Sequence, residues 1–260
     1  MPVISVLSLK GGVGKTSVTL GLAGAATIRG FASLVIDLDP QGNATSLLAT
    51  NRGKKSAADV FAHPNVTTLE EALATCPWEV APGEVDVLPS HPDLIRFDAW
   101  TGQSFRPKLA RALDKLDGYD LVLIDCPPSL GALTREALAA SDLAVVVTTP
   151  SYFGAQGVER AVEEINEIRR TVNPRLQFAG IVVNRVRSVA EEHQYRSGEL
   201  AEIYGRSALL KPFVPERIAV QQAEGMGQPV QLVRTAGGKE VTEIYDKHLA
   251  TLMRKARAKH

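Results

Sequence analysis

Cysteine is scarce in this chain, long apolar runs are missing, and charge of neither sign dominates: 29 Lys and Arg stand against 29 Asp and Glu. The two cysteines, Cys76 and Cys126, lie far apart and in no metal-ligand spacing. That argues against a disulfide framework and suits a reducing cytosol. No stretch approaches the roughly 20 apolar residues of a membrane span. The first residues enter a strand pattern directly, without the basic segment of an export signal. A soluble, cytoplasmic protein is expected. With no net charge, bulk electrostatics alone predict no nucleic-acid binding. No internal repeat or low-complexity linker divides the 260 residues, so a single α/β domain over 1–260 is expected.

What is present is an ordinary globular composition, 45% apolar and 22% charged, in a telling order. Short runs rich in Val, Ile and Leu occupy residues 3–9, 34–36, 85–88, 121–124, 143–147 and 181–183. Nearly continuous apolar runs of this kind read as strands buried on both faces. Helical patterns fall between them near 16–30, 107–116, 131–140 and 155–171. This alternation predicts a mostly parallel sheet with helices on both faces and a ligand beyond the carboxyl ends of the strands. Residues 50–83, broken by Pro64, Pro77 and Pro82, read as short peripheral helices and loops. From Gly238, residues Val241, Ile244, Tyr245, His248, Leu249, Leu252 and Met253 recur at helical spacing and form one apolar stripe that can dock on the core. Charge is uneven along the chain. From Arg185 onward there are 13 Lys and Arg against 9 Asp and Glu, and the tail holds Arg254, Lys255, Arg257 and Lys259. This surplus is compatible with a polyanionic partner or with a solvated end.

Directly after the first run comes Leu9-Lys10-Gly11-Gly12-Val13-Gly14-Lys15-Thr16-Ser17, then a helical pattern. Glycines let backbone N–H groups surround phosphate oxygens without side-chain obstruction. The following helix points its N-terminal dipole at the same anions. Lys15 can reach β- and γ-phosphates, and the Thr16 hydroxyl can ligate Mg²⁺. The second run ends in Asp37-Leu38-Asp39-Pro40-Gln41-Gly42-Asn43, which puts both acids on one face of an extended segment. The fourth ends in Asp125-Cys126-Pro127-Pro128. An acid after four apolar residues is the Walker B pattern, and a carboxylate buried there calls for an ion partner.

The run from Lys10 to Thr16 resembles the deviant Walker A motif of the ParA/MinD superfamily. Together with the two acidic motifs, it is similar to the ParA/Soj-type partitioning ATPases over nearly the whole chain. The match is specific in the three nucleotide motifs and loose elsewhere. It lacks the first glycine of the general phosphate loop, where Leu9 stands, and has Lys10 in addition.

The resemblance implies a homodimer clamped around ATP and Mg²⁺, with Lys10 crossing to the partner subunit's phosphates. It implies that Gly11, Gly12, Val13, Gly14, Lys15, Thr16 and Ser17 bind the nucleotide, and that Asp39 positions or activates water. Asp37 would support the Mg²⁺ shell, which Thr16 and Asp125 form. Asn184 would contact adenine, and Pro215, in the loop from Lys211 to Arg217, would line the base. Non-specific double-stranded DNA and a ParB-like or other adaptor protein are the implied partners, in a cytoplasmic, nucleoid-associated protein. Arg187, Arg196, Arg217, Arg234 and Lys239 are the candidate DNA contacts, although Glu216 and Ala219 replace residues that are commonly basic in relatives. A MinD-like or flagellar-number ATPase cycling on membrane is the alternative. It calls for an amphipathic tail with bulky apolar residues. Ligase-type synthetases of the same superfamily lack the early lysine. The iron–sulfur chemistry of the nitrogenase iron protein calls for a cysteine context that Cys76 and Cys126 do not have, and a small buried thiol is the expectation for Cys126.

Overall fold

A computed structural model describes residues 1–49, 53, 55–78, 82–98, 105–187 and 190–258. Lys259 and parts of the 50–83 segment lie outside the described residues. The elements run β1 (Val3–Leu7), α1 (Lys15–Ile28), β2 (Ala32–Asp37), α2 (Asn43–Leu48), α3 (Ala57–Ala62), α4 (Val66–Ala72), β3 (Ala74–Thr75) and β4 (Glu84–Leu88). They continue with α5 (Ile95–Asp98), α6 (Lys108–Leu113), β5 (Leu121–Asp125), α7 (Ala132–Ala140), β6 (Leu143–Thr148) and α8 (Tyr152–Thr171). Then follow β7 (Gln177–Val183), α9 (Glu191–Tyr204), α10 (Ile218–Gly225) and α11 (Ala236–Arg257).

The strands form one seven-stranded sheet in the order β3-β4-β2-β5-β1-β6-β7. All pairs are parallel except β3 with β4. The apolar runs explain why. Side chains alternate between the faces of a strand, and here both faces are apolar. Leu34 and Ile36 enter one core and Val35 the other; Val122 and Ile124 enter the first, Leu121 and Leu123 the second. The first core is closed by Phe61 of α3, Leu69 of α4, Leu109 of α6, Leu133 of α7, Ile165 of α8 and Leu200 of α9. The second is closed by Val18 and Leu22 of α1, Ala223 of α10 and Val241 and Leu249 of α11. The expected sheet with helices on both faces is therefore present.

Register sets what meets at the carboxyl rim. Val6 of β1 and Asp37 of β2 both pair with Asp125 of β5, and Thr148 of β6 pairs with Val183 of β7. The segments that leave these strand ends are the ones that bear the sequence motifs. On the α1 side of the sheet, α11 lies against α1 with the Tyr245 ring over Gly21, so close that a Cβ there would fall 2.2 Å from the ring. Gln231 fastens the same helix by donating to the Gly21 carbonyl at 2.8 Å.

Candidate active site

The turn from β1 to α1 is shaped by Gly12 and Gly14, both left-handed with φ of 77° and 85°. Side-chain-bearing residues avoid that region. Gly14 has a second constraint: a Cβ would lie 2.3 Å from Asn184 Nδ2. A Cβ on Gly11 or Gly12 would meet nothing within 4 Å, so the loop faces open space. That space is a cleft of about 540 Å³, walled by residues 10–16 of the loop, by Asp39, Gln41, Asn43, Ser46 and Leu47, and by Pro128, Arg185 and Glu224.

Beneath the loop Lys15 Nζ lies 2.8 Å from Asp125 Oδ1, with the two side chains 7% and 0% exposed. The Thr16 hydroxyl donates to Asp125 Oδ2 at 2.7 Å, and Thr19 donates to Oδ1 at 3.2 Å. Burial pulls the Lys15 pKa down, but the adjacent Asp125 carboxylate outweighs it and leaves the ammonium above its ordinary value. One carboxylate therefore gathers the cation and the hydroxyl of the Gly-Lys-Thr triplet.

Asp37 and Asp39 divide their work. Asp37 is fully buried; its Oδ2 accepts from Thr45 N and Thr45 Oγ1, both at 2.7 Å, and its Oδ1 accepts from Asp39 N at 3.1 Å. It holds the start of α2 in place and stands behind the cleft wall. Burial, with the Asp125 charge in support, pushes its pKa up to about 7. Asp39 is 6% exposed and reaches the cleft, its Oδ1 accepting from Gln41 N at 3.0 Å and its carbonyl accepting from Ser90 Oγ at 2.6 Å.

Lys10 is exposed at the cleft mouth and makes no ion pair among the described residues. Ser17 forms no part of the cleft wall itself but donates to Oε1 of Glu224, which does, at 2.5 Å. Asn184 is buried under the loop, its Nδ2 donating to the Val13 carbonyl at 2.8 Å and its Oδ1 accepting from Arg185 N at 2.9 Å. The side chain expected at a base thus supports the phosphate turn directly. Pro215 is bridged to Val186 and forms no part of the cleft wall. Three participants escaped the sequence reading: Thr19, Arg185 and Glu224. Thr19 follows Lys15 by one helical turn, a spacing that could have found it. Arg185 follows Asn184 directly and has a left-handed φ of 55°. Cys126, fully buried beside Asp125, has its thiol pushed up to about 12 by burial.

The five basic candidates separate. Arg187 pairs with Glu216, Arg217 with Glu240 at 2.7 Å, and Arg196 with Glu192 and Glu199 at 2.7 and 3.1 Å. Arg196 is also flanked by the rings of Tyr152 and Tyr195, at 5.4 and 5.1 Å. Arg234 and Lys239, before and within the first turn of α11, are exposed and have no ion-pair partner among the described residues. No helix among the described residues is long and apolar enough to cross a membrane.

Comparison with known proteins agrees with this geometry. A family profile described as "AAA domain" matches residues 1–178. The chain is 33% identical over 230 residues to the chromosome-partitioning ATPase Soj of Thermus thermophilus, covering 87% of this chain and 86% of Soj. It is 31% identical over 254 residues to the chromosome partitioning protein ParA of Caulobacter vibrioides, covering 93% and 91%. Among solved structures, a cobyrinic acid a,c-diamide synthase from Mycobacterium smegmatis with bound ATP analog and magnesium superposes with a TM-score of 0.80. It is 27% identical, over 98% of this chain and 95% of that one. With a glycine turn, a buried Lys–Asp pair joined by a half-buried threonine, and a second acid on the rim of one parallel sheet, the chain belongs to the ParA/Soj family of partitioning ATPases.

Proposed function

We propose that this chain is a magnesium-dependent ATPase whose nucleotide state controls dimerisation and, through it, binding to DNA. The observation that supports this most is the cluster of Lys15, Thr16 and Asp125 under an open glycine turn, with Asp39 in the same cleft. The residues fit the nucleotide and its metal. Gly11 and Gly12 leave room for phosphate oxygens, and a cation and a helix start stand beneath them. Among the described residues no group of three or more His, Cys, Asp and Glu forms a cage. Thr16 and Asp125 would hold the metal with phosphate oxygens and water, as suits Mg²⁺. When bound, the metal neutralises charge that develops on the transferred phosphoryl group. Lys15 holds the β- and γ-phosphates, Asp39 orients the attacking water, and Asn184 fixes the curvature of the loop at Val13.

Lys10, exposed at the mouth and without an ion pair among the described residues, would meet phosphates held by a second copy across the cleft. Pairing two copies would double a basic surface on which Arg234 and Lys239 are uncompensated. An adaptor protein that accelerates hydrolysis would return the subunits to the weakly binding form. A swing from 1:99 to 99:1 between the two forms needs about 5.5 kcal/mol of differential affinity. The test is DNA retention on a filter with ATP, ADP or no nucleotide. ATP-dependent retention is expected for the wild type, loss for Lys10→Ala, and prolonged retention for Asp39→Ala. Retention indifferent to nucleotide would sink the switch.

A further inference from the structure

Among the described residues, Glu224 and Asp39 are the two acids in the wall of a cleft suited to phosphate, and only Asp39 has a part in the reading above. A carboxylate placed there repels a polyphosphate unless it faces hydrogen-bond donors. We propose that Glu224 reads the sugar of the bound nucleotide, accepting a hydrogen bond from a ribose hydroxyl, and so selects ribonucleoside phosphates over their deoxy counterparts. The assignment rests on the nucleotide-binding reading above.

Sheet order fixes which way a nucleotide lies. Asp39 and Pro128 follow β2 and β5, on one side of β1, whereas Arg185 follows β7 on the other. With the terminal phosphate toward Asp39, the nucleoside extends toward Arg185 and Glu224. Ser17 then sets the depth. It lies in the first turn of α1, two residues past Lys15, and its hydroxyl donates to Glu224 Oε1 at 2.5 Å. Glu224 is thus anchored beside the phosphate-binding turn, where the first group beyond the phosphates is the sugar and the base is more distant. The other carboxylate oxygen makes no hydrogen bond among the described residues and remains an acceptor. A carboxylate that accepts from a ribose hydroxyl is the chemistry by which dinucleotide folds recognise the same group. Ser17 becomes a positioning residue, which accounts for a hydroxyl just past the loop that is outside the cleft wall yet bonded to it.

The exocyclic amine of adenine is also a donor, so the experiment must separate sugar from base. The full chain, with magnesium, is titrated calorimetrically with ADP, 2′-deoxyADP and inosine diphosphate. The wild type is expected to bind ADP about tenfold more tightly than 2′-deoxyADP, the effect of one hydrogen bond to a charged group. Glu224→Ala should bring that ratio close to one while leaving the affinity for 2′-deoxyADP in place. Glu224→Gln, which keeps shape and an acceptor without the charge, should give an intermediate ratio and serves if the alanine variant fails to fold. An unchanged ratio in the variants overturns the assignment, as does a loss confined to discrimination between ADP and inosine diphosphate. Equal binding of ADP and 2′-deoxyADP by the wild type also overturns it and leaves the nucleotide site standing. Failure of the wild type to bind any of the three overturns the nucleotide reading itself.

Discussion

His248 is 1% exposed, with Nε2 2.8 Å from the Pro212 carbonyl and Nδ1 without a partner among the described residues. Since a carbonyl only accepts, Nε2 bears the hydrogen. Burial lowers its pKa to about 4, against 6.5 for an unperturbed imidazole. The sign of the effect on stability follows. Between pH 6.5 and 4 the unfolded chain takes up a proton that the folded chain refuses, so stability is lost as pH falls through that window. Asp37 works in the opposite sense. With its folded pKa raised to about 7 from 3.8, it favours the folded state as pH falls from 7. The wild-type profile alone therefore mixes the two, and comparison with His248→Gln isolates the histidine. Relative to that variant, the wild type should lose roughly 2–3 kcal/mol in urea unfolding between pH 7.5 and 4.5. Parallel curves would refute a buried neutral ring. At this scale the sequence displayed Lys15, Thr16, Asp39 and Asp125 clearly, because a strand, a turn and a helix start place them within a few residues of each motif. It hid Glu224, whose partner Ser17 is 207 positions away, and the supporting role of Asn184, which exists only where β7 ends under the Val13 carbonyl.

Helix α1 touches its neighbours through its smallest residues. Gly21 admits the Tyr245 ring, and Gly24 admits Gln231 and Pro229, where added Cβ atoms would come within 2.2 Å of a neighbour in each case. Gly21→Ala should lower stability by about 1–3 kcal/mol through overpacking, although alanine is favoured over glycine in a helix by about 1 kcal/mol. Gly198→Ala on the exposed side of α9, where nothing lies within 4 Å, is the control and should raise stability. Thermal unfolding of the two variants checks both signs; a stabilised Gly21→Ala would mean that the interface yields. Elements followed the sequence where burial was periodic. The six apolar runs became strands, and α11 took its stripe of Val241, Tyr245 and Leu249 inward as the spacing predicts. Helix α8 begins at Tyr152, ahead of the expected 155, because the Ser151 hydroxyl caps it by accepting from Gly154 N. Helix α9 showed no clear stripe: only Ser197 and Leu200 are buried along it. The two-residue β3, held antiparallel to β4, is too short for periodicity to register.

Across the whole molecule, the parallel sheet directs the motif-bearing turns to one rim, and the exposed cations without ion pairs among the described residues include Arg234 and Lys239, before and within the first turn of α11. Counting charges along the chain cannot tell which cations are free. Glu192 and Arg196 are visible as neighbours in a helix, but the acids that engage Arg187 and Arg217 come from other segments, 29 and 23 positions away. On the DNA-binding reading, Arg234 and Lys239, without ion-pair partners among the described residues, contribute to the attraction to phosphate where Arg187, Arg196 and Arg217 are held by acids. Replacing both with alanine should flatten the salt dependence of DNA retention by roughly 0.9 in log–log slope for each phosphate left unneutralised. Arg196→Ala, removing a guanidinium already held by two glutamates and two tyrosine rings, should leave the slope unchanged. A flattened slope for Arg196→Ala alone would reverse that ranking. The seat of Tyr245 on Gly21 also ties together segments far apart in the chain. The helix that presents Lys15 and Thr16 is synthesised more than two hundred residues before the helix that covers its flank. Until α11 is made, that flank of α1 is bare, so a chain cut short before α11 would lose the packing behind the Lys15 helix and not a mere tail.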